Sequence, residues 1–383
     1  MIPGPEKDNT IFIILGLAAI AIIAIGAYIY LKPAPQSEEN PWVSGGEEAL
    51  SPNATAIIVL SEKCTDCDSA ARLVEKIRQD SANLGTNIVD IQTAYDSSED
   101  GRMLIIRYNI TELPALILKK EGQWDGRLLS MWVDGIGSVE DDGSLLYREV
   151  APPYVIVESG ETIGMVEAVE IVPESCEGCF DSGAFLDSLE GYPDYVHFTE
   201  VTRFNESNPG ARALIEKYNI TKLPVVILNP GIGAYKVSQQ LQSVGSQEDD
   251  GWLVLREIPP PYYDVASATV RGRVEIILLK DGSCPDCYDA AAFSDDLANI
   301  FGMQITNRTE YDVSSPEGRA LISRYAITAA PTFLVSGEAS AYRGFGDFWF
   351  AKDNTKESDG WYVFRDVNYI GVVYKNINES GTG

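Results

Sequence analysis

An unbroken apolar stretch is the first pattern along the chain. Ile11 to Leu31 is a run of 21 positions without a charged side chain, and a helix of that length would be about 31 Å long, enough to cross a bilayer. The pattern predicts a transmembrane anchor over residues 9–31. Residues 32–52 are rich in Pro, Gly, Ser and Glu, which predicts a flexible linker. A cleaved signal peptide is the alternative, although the apolar run is long for one.

Further along, one order of apolar and polar positions occurs three times. Each time, a β-type apolar run stops before a Cys-x-x-Cys pair, and an amphipathic helix, a second strand, a helix ending at a tyrosine and a strand starting at a proline follow. An acidic Asp-Gly step near the end predicts a hairpin turn. The first cysteines are 112 and 108 residues apart, and the prolines follow them by 50, 48 and 47 residues. This repetition predicts three homologous α/β domains over residues 53–155, 156–264 and 265–376, called units 1, 2 and 3 below.

Composition and charge restrict the classes of function. The 383 residues include 29 Lys and Arg against 57 Asp and Glu, a formal net charge of −28. Nucleic acid is excluded as a partner because phosphate binding needs a basic face. The single histidine, His197, argues against metal sites built from several imidazoles, and it is predicted to lie on a strand without a chemical role. The sequence indicates no cofactor.

Two features favour a location outside the cytoplasm. All six cysteines fall in Cys-x-x-Cys pairs, which suit an oxidising compartment. Six Asn-x-Ser/Thr sequons would accept glycans there. We therefore predict a single-pass protein of the cell membrane with its C-terminal domains outside the cytoplasm, although the charges that flank the anchor do not specify its orientation. The sequons lie at Asn53, Asn109, Asn205, Asn219, Asn307 and Asn378.

The repeated motifs resemble those of the thioredoxin-like superfamily. In that superfamily a strand runs into Cys-x-x-Cys at a helix start, and a motif like the Tyr-x-Ile-Thr-x-x-Pro of all three units leads into a later strand. The resemblance implies a redox-active cysteine pair that faces a loop whose cis-proline shapes a groove for a substrate polypeptide. By position these prolines would be Pro114, Pro224 and Pro331. The chain departs from the family pattern in two ways: Trp is absent before the first cysteine, and a β-rich segment with Pro-Pro-Tyr takes the place of the closing helix.

The position of a cysteine relative to a helix influences its reactivity. At a helix N-terminus the dipole and the free N–H groups lower the pKa of the thiol, so the first cysteine of each pair would attack and the second would resolve the mixed disulfide. Acidic residues inside and just after the pairs oppose the thiolate, so we expect weak oxidants, with Lys63 making the first pair the best candidate for an exception. The predicted nucleophiles are Cys64, Cys176 and Cys284, and the resolving thiols are Cys67, Cys179 and Cys287.

The favoured functional prediction is a membrane-anchored thiol–disulfide oxidoreductase or isomerase that acts on exported polypeptides. A redox-inert structural or client-binding protein of the cell surface, with static disulfides, is the main alternative. Metal binding by the thiolate pairs and assembly into a filament or surface layer remain open, as does any self-assembly. The acidic Asp-Gly steps lack the spacing of an EF-hand, so they are interpreted as turns and not as Ca²⁺ sites.

Overall fold

The structure is a computed structural model of the 383-residue chain. The predicted transmembrane anchor (9–31) and linker (32–52) lie outside the residues that it describes. Within the described part of the chain, no helix is both long and apolar enough to cross a bilayer. The described residues are 53–191, 195–351, 354–367 and 371–377.

Unit 1 contains a five-stranded mixed sheet with helices on both faces. The strand order is β2–β1–β4–β6–β5, with β1 parallel to β2 and antiparallel to β4, while β3, β7 and β8 form a separate small sheet. The elements are β1 (Asn53–Leu60), α1 (Ser69–Gln79), α2 (Ser81–Leu84), β2 (Asn87–Tyr95), α3 (Glu99–Arg107), β3 (Glu112–Leu113), β4 (Ala115–Lys120), α4 (Gly126–Gly135), β5 (Gly137–Val139), β6 (Leu145–Tyr147), β7 (Tyr154–Ile156) and β8 (Thr162–Ile163).

Unit 2 repeats this arrangement. Its main sheet has the equivalent order β10–β9–β12–β14–β13, and β11, β15 and β16 form the small sheet. The elements are β9 (Val166–Val172), α5 (Ser182–Glu190), β10 (Phe198–Asn205), α6 (Pro209–Lys217), β11 (Lys222–Leu223), β12 (Val225–Leu228), a 3₁₀ turn (Pro230–Ala234), α7 (Ser238–Ser243), β13 (Gly245–Gln247), β14 (Leu253–Leu255), β15 (Tyr262–Asp264) and β16 (Thr269–Arg271).

Unit 3 has the main-sheet order β18–β17–β20–β22–β21, and β19 pairs with β23. The prediction of an α/β chain with three repeated units is therefore confirmed. The domain limits given above stay a prediction. The elements are β17 (Arg273–Lys280), α8 (Ala290–Phe301), β18 (Gln304–Asp312), α9 (Pro316–Tyr325), β19 (Ala329–Ala330), β20 (Thr332–Val335), a 3₁₀ turn (Gly337–Ala341), α10 (Phe345–Phe350), β21 (Thr355–Lys356), β22 (Tyr362–Val363) and β23 (Lys375–Asn376).

The central strands of each main sheet are buried on both faces. In β4, Leu116 and Leu118 pack in one apolar cluster with Trp132 of α4. Ile117 points to the opposite face and packs in a second cluster with Tyr108, at the end of α3. Because successive residues of a strand point to opposite faces, a strand covered on both sides is apolar at every position. This explains the unbroken apolar runs in the sequence.

The sequence did not predict helix α4, which precedes the β5–β6 hairpin; after that hairpin the Pro-Pro-Tyr segment runs into β7 and β8, as expected. The N-cap residue of α4, Asp125, accepts a hydrogen bond from the backbone N–H of Arg127 at 2.9 Å, which favours a helix start. Leu128 and Trp132 lie four residues apart and are both fully buried, so they form one apolar face. The corresponding helices α7 and α10 have six residues each. Helices this short give no clear helical period in the sequence.

The acidic Asp-Gly steps form hairpin turns, as predicted. In unit 1 the backbone N–H of Glu140 donates to the carbonyl of Ser144 at 2.8 Å, and Gly143 has φ +78°, a conformation that favours glycine. The Asp142 carboxylate accepts a hydrogen bond from the Tyr108 hydroxyl at 2.7 Å, which ties the end of α3 to the turn. The equivalent pairs are Tyr218–Asp250 and Tyr325–Asp359.

We expect acid to weaken these turns. A hydrogen bond from the Lys217 ammonium holds the pKa of Asp250 below its ordinary value of 3.8. A carboxyl whose pKa is lower in the folded than in the unfolded chain stabilises the fold fully above about pH 5, and that contribution is lost as the pH falls through the folded pKa. The urea midpoint should therefore fall between about pH 5 and about pH 3, and fall less in Asp250→Asn. Equal acid sensitivity in variant and wild type would contradict this expectation.

Candidate functional site

The three Cys-x-x-Cys loops occupy the same position in each unit, between the first strand and the helix that follows it. Each motif is closed by a disulfide within the pair, and no cysteine of the chain is free. The Cα atoms of the paired cysteines are 5.5, 5.5 and 5.4 Å apart. The disulfides are Cys64–Cys67, Cys176–Cys179 and Cys284–Cys287.

The cysteine pairs do not open the helices, contrary to the sequence interpretation. Helices α1, α5 and α8 begin only after the second cysteine of each pair, and an aspartate occupies each N-cap. In units 2 and 3, Asp181 and Asp289 accept hydrogen bonds from the backbone N–H groups of Ala184 and Ala291, both at 2.9 Å. The aspartate carboxylate lies at the N-cap itself, whereas the second cysteine of the pair lies two residues before it. The carboxylate is therefore the group that caps the helix. The positive end of the helix dipole therefore stabilises aspartate in these two units.

The three pairs differ in burial. Cys64 and Cys67 are only 9% and 6% exposed and belong to an apolar cluster that includes Tyr108. The cysteines of units 2 and 3 are half-buried, and the residues before and between the two cysteines of each pair are exposed. Lys63 is exposed and its ammonium donates to the carbonyl of Gly160, at 3.4 Å. Apolar burial disfavours a thiolate. It therefore opposes the stabilisation of the Cys64 thiolate that the sequence predicts from Lys63.

The strand edge next to each predicted groove proline is already paired within the chain. The peptide bonds before Pro114, Pro224 and Pro331 are cis; the role of these prolines in a substrate groove stays a prediction. The short strands that precede them, β3, β11 and β19, pair antiparallel with β7, β15 and β23. The Pro-Pro steps of the sequence lead directly into β7 and β15, so these segments do more than connect units.

Cationic or ionisable groups from later parts of the chain contact each loop. His197 Nε2 lies 3.8 Å from the carboxylate of Asp66, inside the first motif. It lies just before β10 and not on a strand as predicted. The Arg273 guanidinium donates to the carbonyl of Glu177 in the second motif at 2.6 Å, and Lys375 contacts the third. Among the described residues, no group of three or more His, Cys, Asp or Glu side chains could hold a metal ion.

Sequence reasoning missed Glu170, a buried carboxylate in unit 2. Its side chain is 3% exposed, it accepts a hydrogen bond from the Ser182 hydroxyl at the start of α5, and it lies 3.4 Å from the Arg203 guanidinium. Glu170 precedes Cys176 by six positions, where units 1 and 3 have Ile58 and Leu278. A charged residue in an otherwise apolar strand run was the available signal, because such burial requires partners.

Distant neighbours exist among solved structures, whereas no protein-family model and no curated protein matches the chain. ERdj5 form II is 11% identical with a TM-score of 0.14, over 81% of this chain and 40% of that one, so the chain spans less than half of ERdj5. Human ERp44 is 11% identical with a TM-score of 0.14, over 76% and 80% of the two chains. The NTD_N/C domain of alkylhydroperoxide reductase AhpF from Enterococcus faecalis is 13% identical with a TM-score of 0.16, over 47% and 83%.

The low TM-scores give these similarities no weight for fold or function. The thioredoxin-like character of the units rests on their own features. Each has a parallel pair formed by its first two long strands, an antiparallel strand that begins after the cis-proline, and a Cys-x-x-Cys loop after the first strand. A disulfide at that position in this fold supports a redox role in general terms.

Proposed function

We propose that the chain is a membrane-anchored thiol–disulfide oxidoreductase that acts on exported polypeptides at its second and third disulfides. The observation that carries the proposal is the half-buried state of the four cysteines in these two pairs, whereas the two cysteines of unit 1 are buried. Disulfide exchange needs a thiolate to reach a sulfur atom, and these loops offer that access. The anchor over residues 9–31 would hold the three units outside the cytoplasm, close to the emerging clients.

The exchange would proceed in two steps. A client thiolate attacks the Sγ of Cys176 or Cys284; a mixed disulfide forms, the bond within the pair breaks, and the second cysteine leaves as a thiolate. A second client thiolate then attacks the client sulfur of the mixed disulfide, and the first cysteine of the pair departs as a thiolate. The client has gained a disulfide, and the Cys-x-x-Cys pair has been reduced by two electrons. The reverse sequence reduces a client disulfide.

The N-cap aspartates indicate which direction is favoured. A strong oxidant requires a reduced form that is stabilised as a thiolate. In units 2 and 3 the carboxylates of Asp181 and Asp289 occupy the positive end of the helix dipole. The thiolate that leaves the disulfide therefore receives little stabilisation from the dipole. We infer that the disulfides are weak oxidants and that reduction or isomerisation of clients is the favoured activity.

Insulin reduction by the full chain in detergent, with dithiothreitol as electron source, tests this function. The Cys176→Ser and Cys284→Ser variants should each lose part of the rate, and the double variant nearly all of it, whereas Cys64→Ser should retain the rate if its fold survives. Thermal unfolding of Cys64→Ser checks that condition. A wild-type chain that reduces insulin no faster than dithiothreitol alone, or a double variant with full activity, would refute the proposal.

The buried first disulfide favours a second function for unit 1. Cys64 and Cys67 lie in an apolar cluster, which fits a static disulfide in a structural or client-binding unit. Unit 1 would then hold clients or space the two reactive units from the membrane. If the Cys64→Ser variant loses client retention but keeps insulin reduction, the two roles are separate.

The proposed location has its own test. Protease added to sealed, right-side-out vesicles that contain the full chain should remove the three units and leave the anchor region. Protection of the units from protease would place them in the cytoplasm and contradict the proposed action on exported polypeptides.

A further inference from the structure

Residues 371–377, called the strap below, lie across the third Cys-x-x-Cys loop. The backbone N–H of Tyr288, next to Cys287, donates to the carbonyl of Val373 at 3.0 Å. Strand β23 of the strap pairs antiparallel with β19, just before Pro331. The backbone N–H of Ile377 donates to the carbonyl of Thr328 at 2.8 Å. The strap therefore covers one side of the loop through backbone hydrogen bonds.

Lys375 fastens the strap to the loop itself. Its ammonium donates to the carbonyl of Ser283 at 2.9 Å and lies 3.4 Å from the carboxylate of Asp281. The Asp281 side chain is only 8% exposed. Burial acts to raise the pKa of this carboxyl, but hydrogen bonds from Ser283 and the Lys375 ammonium outweigh burial and hold the pKa below its ordinary value. A carboxylate in this position requires a cationic partner.

No side chain of the strap is fully buried, although Tyr374 and Ile377 pack half-buried against two apolar clusters of unit 3. A cavity of about 470 Å³ lies beside the strap, lined by Lys375, by Ser283 of the loop and by Arg319 and Ile322 of α9. Val373 is 57% exposed. An element with an open cavity on one side and few buried apolar side chains opens at a lower free-energy cost than the core.

The strap differs in chemistry from the equivalent strands of units 1 and 2. The residue paired with the position before the cis-proline is Val155 in unit 1, Tyr263 in unit 2 and Lys375 in unit 3. Strands β7 and β15 are each backed by another strand of a three-stranded sheet, whereas in the described residues β19 and β23 form a two-stranded sheet. Within the described residues, β23 therefore has fewer neighbouring strands than β7 or β15, and it carries the lysine that contacts the loop.

We propose that the strap is displaceable, that Lys375 latches it over the third loop, and that its slot accepts an extended segment of another polypeptide with a basic side chain at the Lys375 position. The β19 edge would pair with the backbone of that segment, and Asp281 with Ser283 would bind its cation. The proposal rests on the proposed function for its physiological role, because it names a class of client for the third disulfide. Its tests do not require turnover.

The latch is tested by residue-resolved labelling of the full chain. Dithiothreitol gives two electrons and two protons to the disulfide and becomes a cyclic disulfide, and iodoacetamide then alkylates the two released thiols. In Lys375→Ala, alkylation of Cys284 and Cys287 should be roughly tenfold faster, because charge-assisted hydrogen bonds to the loop are lost. The matched control, Lys356→Ala, removes an exposed lysine from β21 of the same unit and should leave the rate unchanged. Unchanged labelling of unit 2 reports an intact fold.

An equal rate in Lys375→Ala and wild type would overturn the latch. Faster labelling in both variants, or in unit 2 as well, would also count against it, since the effect would then come from general destabilisation.

The slot is tested with two synthetic peptides and the full-length Lys375→Ala chain. A fluorescent peptide of residues 371–377 should bind the Lys375→Ala chain roughly tenfold more tightly than the same peptide with Glu in place of Lys. Both peptides should bind the wild-type chain more weakly, because its own strap competes for the slot. Equal affinities of the two peptides, or no binding of either, would overturn the slot. If labelling and binding give the expected results but the chain does not reduce insulin, the oxidoreductase proposal is refuted and the strap proposal is supported.

Discussion

Limited reduction of the native chain should open the second and third disulfides at least tenfold faster than the first. Reduction requires a thiolate to reach a sulfur atom from the direction of the disulfide bond. Cys64 and Cys67 are enclosed in an apolar cluster with Tyr108 and Leu113, so an attacking thiolate must wait for local opening of unit 1. A local opening that costs about 1.4–2.8 kcal/mol slows the reaction by roughly tenfold to a hundredfold. The second pair needs no such opening, and the third needs only displacement of the strap and not opening of an apolar cluster.

The measurement is mass-spectrometric alkylation of each cysteine after short exposure to dithiothreitol. The control is the same reaction in concentrated urea, where burial is removed and the three motifs should react at similar rates. A first disulfide that opens as fast as the others in the native chain would contradict the prediction, and it would also remove the basis for a structural role of unit 1.

Replacing Glu170 with the apolar residue of the other units should separate stability from reactivity. In Glu170→Leu the buried ion pair and hydrogen bond are lost together, and a well-packed apolar replacement of such a group is often neutral or stabilising by about 1–4 kcal/mol. The exchange rate at the second disulfide should nevertheless fall by roughly tenfold, because the Glu170 carboxylate holds Ser182 at the start of α5, the helix that follows the Cys-x-x-Cys loop, and a hydrogen bond to a charged group is worth about 1.5–3 kcal/mol.

Two further variants complete this test, and each is measured by its exchange rate at the second disulfide. Glu170→Gln keeps the size and an acceptor opposite Ser182, so it should retain most of the rate at the second disulfide that Glu170→Leu loses. Glu167→Gln changes an exposed glutamate of the same strand and should have no effect. A loss of rate in Glu170→Gln as large as in Glu170→Leu would contradict this positioning role.

The sequence was most informative where signals are local or repeated. Three recurrences of one motif order predicted three α/β units, because homologous segments fold alike. Asp-Gly steps predicted hairpin turns, since glycine readily adopts the left-handed conformation seen at Gly143, Gly251 and Gly360. The cysteine spacing brought each pair within bonding reach.

Sequence reasoning failed where two local preferences compete. The motif resemblance favoured helices that start at the cysteines, but Asp181 and Asp289 follow the pairs and are stronger N-caps. Helix α4 was missed because its ten residues begin and end with glycine, a poor helix former, and carry a short apolar face. In both cases the outcome depends on small differences in capping and packing energy.

The amino-acid sequence by itself determined the repeated α/β units, the three cysteine pairs and the predicted anchor, because these follow from periodicity and spacing. Only the tertiary structure decided how the three pairs differ. Residues far apart in the chain bury the first pair, place Glu170 under the helix of the second and lay Lys375 across the third. Burial and charge at a cysteine depend on which distant side chains pack around it, and no local motif encodes that.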